Sequence, residues 1–301
     1  MDSSDPTVSA VIPCHDNFAQ LGRTLAALSV QTAEPEAFEV IVVDNNSSQA
    51  GLDHVVARFG EVLSITLVHQ PRLPHPFALC RARNLAISLA RGAWIWTLDS
   101  DCCPNSGAVA AILETAGESD RALMMTGERL FVDTSDVSIE DILESSGALT
   151  DAPPVASPSN YHLDRDRRFP AVEALPDLPH PWDMMHGGNT AFRRADAVAV
   201  GGYDEAFDGN WGYEDDEFAY RMITRAHAEP VFVPGMAVYH QESAAAPDIG
   251  RISEEADRTA MIVDRPNKAD NPNWHRVCAL IPGYREYKLA AFSAHGVDVT
   301  I

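Results

Sequence analysis

The nine residues Ala93–Asp101 (AWIWTLDSD) join a short apolar run to an abrupt acidic end. Ala93–Leu98 predicts a β-strand, because short runs of bulky apolar residues bounded by polar ones are typical of strands buried in a sheet. We expect the strand to end at Asp99-Ser100-Asp101. In open α/β sheets, ligands bind beyond the carboxyl ends of the strands. The acidic end of this strand is therefore the first candidate for a functional site.

The first half of the chain alternates predicted strands with predicted helices. Apolar, β-branched runs predict three further strands at Val8–Ile12, Phe38–Val43 and Ile65–Val68. Between the strands, apolar residues recur at helical spacing. The three stripes are Phe18, Leu21, Leu25 and Leu28; then Leu52, Val55, Val56 and Phe59; then Leu79, Ala82, Leu85, Ala86 and Leu89. This alternation predicts an α/β sheet with helices on its faces.

The second half of the chain is less regular. Between Asp151 and Trp182, seven of 32 residues are proline, which predicts a long loop. Beyond this loop the predicted elements are a strand at Asn189–Arg193, an acid-headed helix at Asp215–Thr224, and short strands at Val231–Val233 and Ala237–Tyr239. From Gln241 onward we expect a mostly irregular tail with one helix near Ser253–Val263.

The chain of 301 residues is strongly acidic, with 22 Lys and Arg residues against 44 Asp and Glu residues and a formal net charge of −22. Such a surface repels nucleic-acid phosphates and anionic lipid head groups. The composition therefore argues against a nucleic-acid binder and against a polybasic membrane-surface protein. Only two of the 22 basic residues are lysines, Lys268 and Lys288.

The character of the N-terminus and the spacing of the cysteines favour an intracellular setting. Met1–Thr7 is polar and acidic, unlike the start of a signal peptide. No apolar run approaches the roughly 18 residues that a membrane-spanning helix needs. The five cysteines are scattered and lack the paired Cys-x-x-Cys spacing of zinc sites. We therefore expect reduced thiols and a cytoplasmic protein without an integral membrane segment.

Asp99 and Asp101 form an Asp-x-Asp triplet at the end of the predicted strand. Carboxylate oxygens bind hard cations such as Mg²⁺ and Mn²⁺, which keep coordination positions for substrate phosphates. A second triplet, Asp164-Arg165-Asp166, lies in the proline-rich loop, where solvated charge is the simpler interpretation. Asp99 and Asp101 are therefore the candidate metal ligands.

The run Trp211–Glu217 (WGYEDDE) places four consecutive carboxylates behind an aromatic-glycine turn. The helix macrodipole favours acidic residues at a helix N-terminus, which accounts for one or two of them. Four neighbouring carboxylates repel one another, and the pKa of a carboxyl group held among others rises towards the range useful to a general base. We interpret this run as a candidate catalytic site.

Three further features each have two interpretations. His240 follows a predicted strand and is either a metal ligand or a histidine without a role in the chemistry. Arg81 and Arg83 flank the start of a predicted helix, where they bind a phosphate or pair with local acids. Gly187-Gly188 and Gly201-Gly202 form simple turns or let the backbone approach a ligand closely.

Short motifs follow one another along residues 8–240. They are Val11–Asp16 (VIPCHD), Leu28–Thr32 (LSVQT), Glu39–Ser47 (EVIVVDNNS), Ala82-Arg83-Asn84 followed by Asp99-Ser100-Asp101, Gly188–Arg194 (GNTAFRR), Gly202–Phe207 (GYDEAF) and Glu214–Arg221 (EDDEFAYR). Taken in this order, they resemble the motifs of family 2 glycosyltransferases of the GT-A fold. The resemblance implies an α/β fold with a Rossmann-like, mostly parallel sheet flanked by helices and a smaller acceptor-side sheet.

The resemblance also implies a nucleotide-sugar donor, commonly a UDP-sugar, bound in the first half of the sheet. The donor-contacting residues would be Pro13 and His15 in the base pocket, Asp44 at the uracil or ribose, Arg83 and Asn84 beside the nucleotide, and Asp99 at the ribose or a metal-bound water.

For the reaction itself, the resemblance implies a Mn²⁺ or Mg²⁺ cofactor with Asp101 as a direct ligand and Asp99 beside it. In the related galactosyltransferases a histidine after the Trp-Gly-acid run completes the metal site, and His240 stands at that position. Glu214 would contact the acceptor, and Asp215 would be the base that removes the proton from the acceptor hydroxyl. Attack would then invert the anomeric centre.

The expected function is metal-dependent, inverting transfer of a hexose to a hydroxyl of a small molecule, glycan or peptide. The alternatives are a retaining transferase of the same fold and a non-catalytic nucleotide-sugar-binding protein. We expect one catalytic domain at 1–240, with a nucleotide-binding half at 8–105, a proline-rich insertion at 151–182 and an acceptor-binding half at 183–240. Residues 241–301 would form a C-terminal extension.

Two departures from the family pattern leave the donor sugar and the acceptor open. Asp16 stands where the family commonly has asparagine, and the insertion at 151–182 is longer than that of a minimal member.

Overall fold

A computed structural model describes residues 5–47, 50–71, 78–145, 147–156, 171–242 and 271–294. Within these ranges the chain forms ten strands and nine α-helices. The strands are β1 Val8–Cys14, β2 Phe38–Asp44, β3 Ile65–His69, β4 Trp94–Leu98, β5 Cys102–Pro104, β6 Leu123–Thr126, β7 Arg129–Asp133, β8 Asn189–Arg193, β9 Glu229–Phe232 and β10 Val238–Glu242. The α-helices are α1 Phe18–Ser29, α2 Leu52–Ala57, α3 Leu79–Leu89, α4 Ala108–Gly117, α5 Ile139–Glu144, α6 Arg194–Ala199, α7 Glu214–Arg225, α8 Pro272–Leu280 and α9 Tyr284–Ala294.

Seven strands form a large sheet in the order β3-β2-β1-β4-β8-β6-β9. Neighbouring strands are parallel except at β8, which is antiparallel to both β4 and β6. The alternating strands and helices predicted for the first half are confirmed. Because β1, β2 and β4 run parallel, their carboxyl ends at Cys14, Asp44 and Leu98 meet at one edge.

A smaller sheet forms beside this edge from β5, β10 and β7. The sequence predicted neither β5 nor β7. β10 pairs antiparallel with β5 and parallel with β7, so that His240 lies opposite both Cys102 and Phe131. We expected His240 to follow a strand that ends at Tyr239, but the structure places it inside β10.

The two faces of the large sheet carry separate apolar layers. On β2, Val40 and Val42 pack in the layer that includes residues of α1, α2 and α4, whereas Ile41 and Val43 pack in the layer that includes residues of α3, α7, α8 and α9. This alternation of two buried faces explains why the strands of the first half are nearly continuous apolar runs.

A buried polar chain joins the large sheet to the small one. The indole Nε1 of Trp96 on β4 donates to Asn189 Oδ1 on β8 at 3.0 Å, and Asn189 Nδ2 donates to the carbonyl oxygen of Met236 at 2.6 Å. Met236 lies just before β10, and all three residues are buried. The strand that carries His240 is thereby held against the strand that leads to Asp99.

The C-terminal region differs from the expected irregular tail. Residues 271–294 form the two helices α8 and α9, and both pack in the apolar layer of α7. The helix expected at 253–263 lies outside the described residues, as do residues 157–170 of the proline-rich insertion. The described parts of that insertion include short 3₁₀ segments at Ala171–Asp177 and Pro181–Met184. Among the helices of the described ranges, none combines the length and the apolar character that crossing a membrane requires.

Gly127 marks the point where the chain passes from β6 in the large sheet to β7 in the small one. A Cβ atom there would lie 1.8 Å from the carbonyl oxygen of Met236, which belongs to the backbone and has little freedom to move. We therefore expect Gly127→Ala to lower the free energy of unfolding by about 1–3 kcal/mol, measured by urea denaturation. Gly117→Ala is the matched control, because a Cβ atom there meets no atom within 4 Å. Equal stability of the two variants would contradict this account of the sheet junction.

Candidate active site

The edge of the large sheet, the small sheet and the start of α7 bring six of the predicted site residues close together. These residues define the cleft: Arg83, Asp99, Asp101, Glu214, Asp215 and His240. Asp99 follows β4, Asp101 precedes β5, and His240 lies on β10. Arg83 comes from α3, and Glu214 and Asp215 begin α7. The cleft thus combines the end of a parallel strand, the small sheet and a helix N-terminus.

Arg83 lies at the centre of this cleft and is almost fully buried. Its Nη1 atom is 2.8 Å from Asp215 Oδ1 and 3.4 Å from Glu214 Oε1, and its Nη2 atom is 3.4 Å from Asp99 Oδ1. The guanidinium carbon is 5.0 Å from the centre of the Tyr203 ring. Burial lowers the pKa of Arg83, but the surrounding carboxylates, Asp215 first, outweigh burial and raise it well above its usual value. The side chain is therefore a fixed positive charge.

The structure bears on the two interpretations of the start of α3, a phosphate site or pairing with local acids. The backbone N–H groups of Cys80 and Arg81 donate to the two carboxylate oxygens of Asp208, at 2.8 and 3.1 Å. An acidic side chain of the protein therefore already occupies these two donors. Arg83 pairs with local acids, which was the alternative interpretation.

Asp215 is held from two directions. Besides the bond from Arg83, its Oδ2 atom accepts a hydrogen bond of 2.8 Å from the backbone N–H of Gly187. A Cβ atom at Gly187 would lie 2.3 Å from Arg83 Nη2 and 2.5 Å from Asp215 Oδ1. At Gly188 a Cβ atom would lie 2.6 Å from Asp99 Oδ2. The two glycines therefore let the backbone approach the charged side chains of the cleft.

Glu214 has a different environment from its neighbour. Its side chain is only 8% exposed, against 22% for Asp215. Burial, reinforced by the Asp215 carboxylate, raises the pKa of Glu214 to about 8, although Arg83 opposes the shift. At neutral pH Glu214 is therefore mostly protonated. The two adjacent acids thus differ in exposure and in their hydrogen-bond partners, which the sequence pattern alone does not reveal.

The turn that leads into α7 has an unusual backbone. Gly212 has a φ angle of 87° and Tyr213 one of 73°. A non-glycine residue in this left-handed region is uncommon and strained, and such residues cluster at functional sites. Because Tyr213 directly precedes Glu214, this conformation sets the direction in which the acids of α7 enter the cleft.

Asp101 and His240 meet on the small sheet. Asp101 Oδ1 lies 3.8 Å from His240 Nε2, and the Cys102 sulfur is 3.9 Å from the same oxygen. Ligand atoms of these three residues lie within 4.8 Å of one another. Burial, together with Arg129, lowers the pKa of His240 to about 4, so the imidazole is neutral at pH 7, which is the form that ligates metals. Carboxylate and imidazole ligands fit a divalent cation such as Mn²⁺.

The surroundings of Cys102 and Asp99 bear on the predicted metal ligands. Asp99 Oδ1 lies 3.4 Å from Arg83 Nη2. Cys102 was not predicted as part of the site. Burial raises the pKa of its thiol well above the usual value, so it is a neutral neighbour of the cleft. Only the antiparallel pairing of β5 with β10, which is not visible in the sequence, places this cysteine opposite His240.

The residues expected at the base pocket line the carboxyl ends of β1 and β2. Pro13 is buried in β1, and the exposed His15 contacts the carbonyl oxygen of Asn45 through Nδ1 at 2.8 Å. Asp44, at the end of β2, accepts a bond from the Ser47 N–H at 2.9 Å and contacts His69 Nδ1 at 3.1 Å. Burial works to raise the pKa of Asp44, but these contacts lower it, so Asp44 is ionised.

The side chain of Asn84 forms hydrogen bonds with the backbone of Tyr203. Its Nδ2 atom donates to the carbonyl oxygen of Tyr203 at 2.9 Å, and its Oδ1 atom accepts from the Tyr203 N–H at 2.8 Å. Tyr203 in turn lies against Arg83. Asn84 thus supports the ring on which the central guanidinium packs.

A family model described as "Glycosyl transferase family 2" matches residues 9–201. The chain belongs to glycosyl transferase family 2. A second model, described as "N-terminal domain of galactosyltransferase", matches residues 167–241 of this family 2 chain. The chain is also similar to the chondroitin synthase of Escherichia coli, with 30% identity over 244 residues that make up 78% of this chain and 34% of the synthase. It therefore spans about a third of the length of that relative.

Solved structures share the fold of this family 2 chain. Staphylococcus aureus TarS, residues 1–349 in complex with UDP, has a TM-score of 0.53 and 17% identity, with 79% of this chain and 61% of that chain covered. The mannosyltransferase PcManGT from Pyrobaculum calidifontis, in complex with GDP-Man and Mn²⁺, has a TM-score of 0.52 and 17% identity, with 81% and 59% covered. The GT-A fold expected from the sequence is confirmed.

The raised pKa of Glu214 predicts a pH dependence of stability. Between its unfolded value of 4.5 and about 8, the folded state keeps a proton that the unfolded state loses, so stability falls as pH rises through this window. Glu214→Gln cannot lose this proton. We expect its free energy of unfolding to rise relative to the wild type between pH 5 and pH 8, by at most about 1.4 kcal/mol per pH unit. Urea denaturation in metal-free buffer measures the difference, and a constant difference across this range would contradict the assignment.

Proposed function

We propose that this chain is a metal-dependent, inverting glycosyltransferase that transfers a hexose from a nucleotide diphosphate sugar, a UDP-sugar, to a hydroxyl acceptor. The observation that carries the proposal is the bridge made by Arg83 between Asp99 and Asp215. Through this bridge, Asp215 lies close to the acidic end of β4. The Asp101–His240 pair follows directly after that end. Family membership supports glycosyl transfer as the class of reaction.

The donor would bind at the carboxyl ends of the parallel strands. UDP in the TarS structure and GDP-Man in the PcManGT structure support a nucleoside diphosphate as the common part of the ligand. Within the nucleotide-binding half at 8–105, we assign the base to Pro13 and His15 and the uracil or ribose to Asp44. Asp99 would contact the ribose or a metal-bound water, and Arg83 and Asn84 would act beside the nucleotide by fixing the walls of the cleft.

Asp101 and His240 would hold the divalent cation, Mn²⁺ or Mg²⁺, with Asp99 beside them. A cation bound there offsets the two charges of the departing diphosphate. The neutral imidazole of His240 and the carboxylate of Asp101 fit this role. Mn²⁺ in the PcManGT structure supports the choice of metal.

Metal dependence predicts that Mn²⁺ strengthens the binding of UDP and that this gain disappears in Asp101→Ala and His240→Ala. Isothermal titration of UDP with and without Mn²⁺ measures the effect, which we expect to be at least about tenfold, equivalent to about 1.4 kcal/mol. Asp166→Ala is the matched control, because it alters the other Asp-x-Asp triplet, in the proline-rich insertion. Two results would exclude the proposed metal site. One is a UDP affinity that is the same with and without Mn²⁺, and the other is an equal effect of Mn²⁺ in all three variants.

Asp215 is the proposed base, and Glu214 would contact the acceptor. Asp215 keeps a partly exposed carboxylate that is paired with Arg83 and bound by the Gly187 N–H. The mostly protonated Glu214 is suited to donate a hydrogen bond to an acceptor oxygen. The acceptor hydroxyl, within the acceptor-binding half at 183–240, would lose its proton to Asp215 as its oxygen attacks the anomeric carbon and the diphosphate leaves from the opposite face.

Asp215→Asn should lower the catalytic rate by about 10²–10⁴-fold while UDP affinity stays within about twofold. The amide cannot take a proton, and its single oxygen keeps only one of the two bonds from Arg83 and Gly187. The measurement is release of UDP from a panel of UDP-sugars with and without glycan and small-molecule acceptors. Asp141→Asn, a change at the exposed cap of α5, controls for nonspecific effects.

Two outcomes would contradict the proposed mechanism. Unchanged turnover in Asp215→Asn would remove this residue from the chemistry, and loss of UDP binding would assign it to the donor. The anomeric proton coupling of the product, measured by NMR, distinguishes inversion from retention.

A further inference from the structure

The buried ammonium group of Lys288 joins the C-terminal helix α9 to the start of α7. Lys288 is one of only two lysines in the chain, and its side chain is 7% exposed. The Nζ atom contacts Asp183 Oδ1 and lies 3.1 Å from Asp216 Oδ2. These two carboxylates are themselves buried, at 2% and 8% exposure. One cation thus serves two acids from different parts of the chain.

Two tyrosines of the same helix complete this network. The Tyr287 hydroxyl donates to Asp183 Oδ2 at 2.8 Å, and the Tyr284 hydroxyl donates to Asp216 Oδ2. Each carboxylate therefore receives a hydroxyl group and the shared ammonium group from α9. Three side chains on one face of a single helix, at positions 284, 287 and 288, fix both acids.

Asp183 lies close in sequence to Gly187, and Asp216 lies next to Asp215. Gly187 and Asp215 are the two partners of the hydrogen bond described above. Asp216 directly follows Asp215 in the first turn of α7. Asp183 lies in the 3₁₀ segment Pro181–Met184, four residues before Gly187, whose N–H donates to Asp215 at 2.8 Å. Lys288 therefore ties together the two segments whose relative position sets this hydrogen bond.

We propose that Lys288, on the C-terminal helix α9, is a positioning residue for Asp215. The proposal rests on the proposed function of Asp215 as the base. Lys288 acts by keeping the segment of Gly187 and the first turn of α7 at the spacing that the Gly187–Asp215 hydrogen bond needs. A displacement of about 1 Å in such a group can cost about 10²-fold in rate.

The cost of burying these charges supports a role beyond stability. Replacing a buried ion pair by well-packed apolar side chains is often neutral or stabilising, so such a pair is weak evidence for stability alone. Aromatic rings already pack beside this ion pair. The Trp182 and Tyr284 rings, for example, stack with their centres 5.3 Å apart. What the ion pair adds is a directional link between two segments.

Side chains at the start of helix α8 bind the backbone of the segment that precedes α7. Asn273 Nδ2 donates to the carbonyl oxygens of Phe207 and Gly212, at 2.8 and 3.1 Å, and Asn271 Nδ2 donates to that of Trp211 at 3.1 Å. These carbonyls belong to the loop that enters α7 through the left-handed Tyr213. The two C-terminal helices therefore contact the first turn of α7 and the loop before it.

The test compares Lys288→Met with a matched variant of the same helix, Phe292→Leu. Phe292 is buried and packs against Trp274, with ring centres 6.4 Å apart, so its change disturbs the packing of α9 but removes none of the charged side chains of the ion pair. Selective ¹⁵N-glycine labelling gives NMR signals for the 18 glycines, and the exchange rate of the Gly187 amide reports directly on its bond to Asp215. The steady-state rate and the KM for a UDP-sugar are measured on the same samples.

For Lys288→Met we expect the Gly187 amide to exchange at least about tenfold faster and kcat to fall at least about tenfold, while KM for the donor stays within about twofold. For Phe292→Leu we expect lower stability with the Gly187 amide and kcat within about twofold of the wild type. The double variant Asp183→Asn/Lys288→Met removes one of the buried charges left without its cation. It is expected to recover stability but to keep the faster Gly187 exchange.

An unchanged Gly187 amide in folded Lys288→Met, or in the double variant, would overturn the proposal. Equal losses of kcat in Lys288→Met and Phe292→Leu at equal stability would also overturn it, because the effect would then be structural. The NMR measurement needs no turnover. A wild type that releases no UDP from any donor, with a Gly187 amide that still responds to Lys288→Met, would therefore refute the proposed function and leave the link between Lys288 and Asp215 standing.

Discussion

The guanidinium group of Arg83 allows several carboxylates to share one cleft. Asp99, Glu214 and Asp215 lie within hydrogen-bond or ion-pair distance of it. Without a cation between them, these acids would repel one another or take up protons, as Glu214 does even with Arg83 present. Because α3 supplies the arginine, β4 leads to Asp99 and α7 supplies the other two acids, this one group also links the two halves of the chain at the cleft.

The strands and helices of the first half could largely be predicted, because each leaves its own apolar pattern in the sequence. Runs such as Phe38–Val43 are buried on both faces of a parallel sheet, and this burial leaves a plain apolar signature. The small sheet left no such signature. β5 has only three residues, and its pairing with β10 joins positions more than 130 residues apart in the chain. The neighbourhood of Cys102 and His240 follows from that pairing, so the sequence could not reveal it.

The acids of the cleft could be found from their sequence pattern, but their individual states could not. Glu214 and Asp215 are adjacent in sequence, yet one is buried with a raised pKa and the other accepts bonds from Arg83 and Gly187. The helices α8 and α9 were also missed, because their buried faces mix polar side chains such as Asn273 and Lys288 with apolar ones, which weakens the apolar stripe in the sequence. The net charge of −22 shows the same limit, since a total cannot separate surface acids from those that converge on one site.

The packing of α8 and α9 against α7 affects how this protein can be recombined with its relatives. The second family model stops at residue 241, which makes that position an apparent seam for exchanging C-terminal segments. The contacts of Asn271, Asn273, Tyr284 and Lys288 run across this seam into residues 183–216. A chimera joined there would combine one protein's acidic helix with another protein's supporting helices. Functional exchange would require the seam to be moved, or both sides of these contacts to be transferred together.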